Sequence, residues 1–157
     1  MPSVWNDFFV AVAGAAAALA GLVFVAISIN LSRILQFPDL PSRAFEALAV
    51  LVGILLVALF GLVPGQSVRA FAIELVVIGV ASWGMHSYAL MRHRSSKHAR
   101  NPMRVLMNQL PSLPLIVAGV LLWQRDAVGV YWIVPGVVLS FVAGVLGAWV
   151  MLVEIQR

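Results

Sequence analysis

Five long apolar stretches fill this chain, and only short polar breaks separate them. They run over 8–29, 44–63, 70–91, 105–123 and 128–153. About 20 apolar residues in a helix span a hydrocarbon core of about 30 Å. In hydrocarbon the backbone must satisfy its own hydrogen bonds, so such stretches become helices. Composition agrees: 62% of residues are hydrophobic, 10% are charged, and mean hydropathy is +1.02. A soluble domain is about a quarter charged, so this chain has too few polar side chains to coat a soluble surface. The expectation is an all-α integral membrane protein, one transmembrane domain over 1–157 built as a bundle of five transmembrane helices.

The basic residues orient that bundle. Eight of the ten Lys and Arg fall in alternate breaks: Arg33 and Arg43, then Arg92, Arg94, Lys97, Arg100 and Arg104, then Arg157. Arg69 and Arg125 fall on the other side. Basic loops stay cytoplasmic, so the N-terminus is expected outside and the C-terminus in the cytoplasm. Aromatic residues fit the same frame. Trp5, Trp123, Tyr131 and Trp132 sit at the outer level, with Tyr88 and Trp149 near the inner one. The first apolar run is too long for a signal-peptide core and reads as a retained span.

The breaks carry their own signals. Pro38 and Pro41 stop the first helix and restart the chain. Pro64-Gly65 predicts a type II turn, hence a tight outer hairpin between the second and third spans. Gln124, Arg125 and Asp126 form a second short outer turn. Asp7 is placed to cap the first helix, and Pro135 beside Gly136 predicts a bend in the last. The fourth span holds Asn108, Gln109, Pro111 and Pro114 at its inner end, where two prolines kink or break a helix. A re-entrant segment is the alternative to a full crossing there; the loop charges favour the crossing.

Two stripes of small residues stand out. On the first span Asp7, Ala11, Gly14, Ala18, Gly21, Val25, Ser28 and Ser32 follow steps of four and three, a single helical seam. Small residues let helices approach in lipid, so a packing face is the common use of such a seam. A pore lining is the other, with Asp7 at the outer mouth and Ser28 and Ser32 at the inner one. On the last span Gly136, Ser140, Gly144 and Ala148 recur every four residues, a signal for tight helix contact within or between subunits.

Intramembrane polar residues are few. Glu74 sits one turn inside the third span, where a carboxylate is costly; pairing with Arg69 or an ion site explains it. Glu46 lies in the first turn of the second span, where the helix dipole favours it. His86 is about 18 Å along the helix from Glu74, so the two form no dyad. With Gly79 and Ser82 it marks a face that meets another helix. Ser28 and Asn30 are candidates for hydrogen bonds across helices. The loop RHRSSKHARNPMR, carrying Arg92, Arg94, Lys97, Arg100 and Arg104, suits anionic lipid headgroups. It lacks interleaved aromatics, which argues against nucleic acid. Absent cysteine excludes disulfides and thiolate ligands. There is no HExxH, GxSxG or P-loop, so neither an enzyme, a cofactor nor a metal is expected.

The stretch WNDFFVAVAGAAAALAGLVFVAISINLSRIL, followed by LVPGQSVRAFAIEL, resembles a family of small multi-pass bacterial membrane proteins common in actinobacteria. Some of these carry the label FtsH-protease modulator. The resemblance covers roughly the first half of the chain. It implies a multi-pass protein of the bacterial inner membrane and transfers no catalytic residue.

A homo-oligomer is expected, because one small subunit encloses little space and offers two seams for contact. The leading functional expectation is a small channel or permeation pathway with the first span nearest the axis. The alternative is a non-conducting module that binds and regulates another membrane protein. The charge split makes a direct prediction. A reporter active only in the cytoplasm, fused after Arg157, gives signal, and a periplasmic reporter there stays silent. The opposite pattern would remove the odd number of crossings.

Overall fold

A computed structural model describes residues 3–37, 40–92 and 109–155. Among these residues the chain is helical and contains no strand. Helix α1 is Asn6–Ile29, α2 is the single turn Leu31–Ile34, and α3 is Leu40–Gly61. Then come α4 (Val68–Arg92), α5 (Ser112–Trp123) and α6 (Ile133–Ile155). A short 3-10 helix, Ala127–Trp132, leads into α6. Four helical segments are long and apolar enough to cross a membrane: Asn6–Ile29, Leu40–Gly61, Val68–Tyr88 and Ala127–Val150. The outward side chains are apolar as well, among them Leu22, Phe24, Val77, Trp83, Val142 and Trp149. Water would not tolerate such faces on every helix, whereas hydrocarbon does. The chain is compatible with a multi-pass membrane protein.

The fifth apolar helix, α5, has 12 residues. At 1.5 Å per residue it is about 18 Å long, short of a full crossing by itself. The chain turns at Leu110 and Pro111, and α5 starts immediately after, with Pro114 in its first turn. The break expected at the two prolines is therefore present, and of the expected span 105–123 only Ser112–Trp123 is one continuous described helix. Residues 105–108, with Asn108, lie outside the described residues.

Other ends follow from local chemistry. Val63–Gln66 forms the expected turn: Pro64 and Gly65 fill its centre, Gly65 has φ +70°, and the Gln66 amide donates to the Val63 carbonyl at 3.4 Å. Helix α5 closes with a Schellman motif. The Asp126 amide reaches the Leu121 carbonyl at 3.0 Å, and the Arg125 amide reaches that of Leu122 at 3.1 Å. Arg125 takes the left-handed position at φ 65°, where glycine is usual. Asp126 then accepts from the Val128 amide at 3.0 Å and starts the 3-10 helix.

Two expectations are corrected here. Asp7 lies in the first turn of α1 without capping it, since the cap position is Trp5 and no side chain bonds there. Its charge faces the positive end of the helix dipole instead. Pro135 falls near the start of α6, directly after the 3-10 helix that leads into it. Ser28 and Asn30 do not bridge helices. Ser28 Oγ donates to the Phe24 carbonyl at 2.9 Å and Asn30 Nδ2 to that of Ala26 at 2.9 Å, each within its own helix.

Helix α3 is central, packed against α1, α4 and α6, while α5 lies closest to α4. Glycines set these approaches. A Cβ on Gly119 would stand 2.7 Å from the Ala72 carbonyl oxygen and 3.0 Å from the Val76 nitrogen. A Cβ on Gly79 would stand 3.3 Å from the Ser112 carbonyl oxygen. Backbone meets backbone at both ends of the α4–α5 contact. On α3, Gly61 receives the ring of Phe9, whose carbons lie 2.9 Å from the position of an added Cβ. Phe9 is buried and links edge-on to Phe8 and Phe71, and Trp5 links to Phe8 and Tyr131, so one end of the bundle is tied by aromatic contacts. The core fills in with Val12, Leu51, Ile54, Leu75, Leu115 and Ile133.

Gly119→Ala should therefore lower stability by about 1–3 kcal/mol, because the obstructing atoms are backbone and cannot rotate aside. Gly84→Ala should cost nothing, since no atom lies within 4 Å of its added carbon. Thermal unfolding of both variants in mild detergent checks the contrast.

Candidate functional site

The seam on α1 points away from the rest of the subunit. Asp7, Ala11, Gly14, Ala18, Gly21, Val25, Ser28 and Ser32 are all exposed. The buried residues of α1 are Phe9, Val12, Ala16, Ala20 and Val23. At 100° per residue the two sets are about 170° apart around the helix. Nothing lies within 4 Å of where a Cβ at Gly14 or Gly21 would stand. The strip, mostly small residues, thus faces outward from the described helices.

The α6 seam has the opposite fate. A Cβ at Gly136 would stand 2.7 Å from Leu115 Cδ2 of α5, and one at Gly144 would stand 2.9 Å from Leu51 Cδ2 of α3. Ser140 is buried and donates to the Gly136 carbonyl at 2.7 Å, and Ala148 packs against the core. Of the two uses open to this seam, packing within one subunit is the one observed.

Glu74 is half-buried, and its partner is Gln66, whose Nε2 donates to Oε2 at 2.6 Å. Arg69, the partner expected from sequence, is exposed. The turn that joins α3 to α4 places Gln66 over the start of α4, and the contact joins residues 8 apart in sequence. Gln66 Oε1 is buried with no partner among the described residues.

A second polar group collects where α3, α4, α5 and α6 meet. Ser82, His86, Ser112 and Ser140 line a cleft of about 20 Å³, closed on the α3 side by Val50, Gly53 and Ile54. His86 is only 6% exposed, and its Nδ1 lies 2.7 Å from the Ser82 carbonyl oxygen. Next to it, Gln109 Nε2 donates to Ser87 Oγ at 2.9 Å, and Ser112 Oγ donates to the Gln109 carbonyl at 2.7 Å. Gly79 and Ser82 do face neighbouring helices as expected from sequence, Gly79 against α5 and Ser82 toward Gly53 of α3. Sequence reasoning missed Ser112 and Ser140 as companions of His86. Their separation along the chain hides them. The usable signal was the tight α4–α5 approach, legible in Gly79 and Gly119.

Among the described residues no group of three His, Cys, Asp or Glu could hold a metal. Arg92 ends α4, and Arg94, Lys97, Arg100 and Arg104 lie outside the described residues. No protein-family model matches the chain, and no curated protein or solved structure matches it.

The Glu74 contact yields a prediction. Gln66→Leu leaves a half-buried carboxylate without its donor and should cost about 1–3 kcal/mol. Arg69→Ala should change stability by less than about 0.5 kcal/mol, as an exposed residue does. Thermal unfolding of the two variants separates the pairings.

Proposed function

We propose that this protein is the subunit of a small homo-oligomeric channel in a bacterial inner membrane, with α1 nearest the axis. The observation that carries this reading is the outward small-residue face of α1. A helix that turned Gly14, Ala18 and Gly21 to lipid would gain no packing from them, whereas a ring of such faces brings several copies close around an axis. Asp7 at the mouth would favour cations, and Ser28 and Ser32 would line the other end. Among the described residues the polar cleft beside His86 is only about 20 Å³, and α6 spends its small residues on internal contacts.

In this reading the chain crosses five times, with the expected span 105–123 as its fourth crossing. The N-terminus lies outside and the C-terminus in the cytoplasm, which sets the loop arginines and Lys97 against anionic headgroups. No chemical reaction is assigned to it. A second reading rests on the same face: a strip of small side chains also fits one helix of a different membrane protein, which the chain would then regulate without conducting.

Cation flux into liposomes decides between them. In the channel reading, wild type conducts, Gly14→Leu or Ala18→Leu blocks the pathway, and Asp7→Lys lowers cation entry several-fold while the oligomer persists. Well-assembled wild-type protein that passes no cation at any voltage removes the channel and leaves the partner-binding reading.

A further inference from the structure

The cleft at the meeting of α3, α4, α5 and α6 has a hydrogen-bond inventory that specifies an occupant. His86 Nδ1 faces a carbonyl oxygen at 2.7 Å. A carbonyl only accepts, so Nδ1 carries the hydrogen, and the Nε2 of the neutral ring is left as an acceptor. The side chain is more than nine-tenths buried and lines the cleft. Ser112 and Ser140 donate to the carbonyls of Gln109 and Gly136, so their oxygens keep only lone pairs for the cleft. Ser82 Oγ stands 3.9 Å from the position of an added Gly53 Cβ and can still donate. The lining therefore offers three acceptors and one donor.

Charge narrows the class further. The lining residues carry no carboxylate and no cation. On α4 the nearest carboxylate is Glu74, about 18 Å along the axis from His86. On α3, Arg43 and Glu46 lie toward the inner end, Glu46 about one turn beyond Val50. Helix α5 has no charged residue, and Glu154 on α6 is about 21 Å along the axis past Ser140. Among the described residues the lining gives an ion no counter-charge, and desolvating it there is costly. A neutral molecule with two O–H donors and an acceptor has the right complement. About 10–15 Å³ of such space admits one water, so this cleft is large enough for a water and little more.

We propose that the cleft is a water-binding site inside the bundle, in which the water donates to His86 Nε2 and a serine oxygen and accepts from Ser82. It would join α4 to α5 and α6, beside the direct Gln109–Ser87 bond. This inference is independent of what α1 faces.

The test uses the full chain in lipid nanodiscs with ¹⁵N-labelled histidine, in a His93→Gln, His98→Gln background so that His86 alone is read. Magnetisation transfer from water protons to the His86 ring should be strong, and the ring should be in the tautomer with hydrogen at Nδ1. Gly53→Ala places a methyl in the cleft with its nearest neighbours at 3.9 Å, ordinary contact, so the fold should hold. In that variant the transfer should fall to baseline. If Gly53→Ala perturbs the remaining resonances, Ser82→Thr, which adds a methyl on the same wall, is read in the same way. Absence of transfer in the parent protein overturns the proposal. So does transfer that persists in the filled variants with all other resonances unchanged.

Discussion

Backbone-to-backbone approach between α4 and α5 is the contact on which the rest of the bundle is arranged. In lipid an apolar side chain gains little by leaving the solvent, so helices associate through close packing and polar bonds. Gly79 and Gly119 sit near opposite ends of the contact, and each opens a groove for the other helix. Only with both grooves does a helix of 12 residues lie flush against one of 25. That seating brings Ser112 opposite Ser82 and His86, and Leu115 under Gly136 of α6. Helix α6 then reaches α3 through Gly144 and Leu51.

The hydroxyl and amide side chains of the helices are handled largely at short range. Ser28, Asn30, Ser112 and Ser140 turn their donors back to carbonyls three or four residues earlier. Such bonds quiet a hydroxyl in hydrocarbon without tying helices together. Two side-chain contacts do join separate elements, Gln66 with Glu74 and Gln109 with Ser87. In both, the amide nitrogen is used, and the amide oxygen is buried without a partner among the described residues. The polar cleft fits the same economy, since Ser112 and Ser140 already direct their hydroxyl hydrogens to carbonyls.

Much of the architecture was legible in the sequence because lipid imposes simple rules. Hydropathy located the four long helices to within a few residues, and Pro64-Gly65 named its turn. The proline pair at 111 and 114 marked a real break. Less legible was which way each seam faces. Both the α1 and α6 stripes consist of small residues, yet one is exposed and the other spent on Leu51 and Leu115. The difference lies in the opposite face of each helix: α1 buries Phe9, Val12 and Val23, and only the assembled neighbours reveal that choice. The partner of Glu74 was missed for a related reason. A cation nearby in sequence looks like the natural partner, but the turn geometry carries Gln66 over the carboxylate and leaves Arg69 outside. The cluster around His86 depends on three helices at once and has no local spacing to betray it.

The link between α3 and α4 has a consequence for biogenesis. Only residues 62–67 separate Gly61 from Val68. Fully extended, six residues reach about 20 Å, less than the hydrocarbon thickness of about 30 Å. Once α3 spans, α4 must begin at the same face, because the connecting loop cannot recross. In a membrane the two helices would therefore insert as one hairpin, since a lone α3 would leave some 20 apolar residues of α4 in water. The polar side chains near the leading end of that hairpin are few, and Gln66 and Glu74 can partner each other as it passes. The geometry of one short turn thus makes insertion of half the long helices a single event.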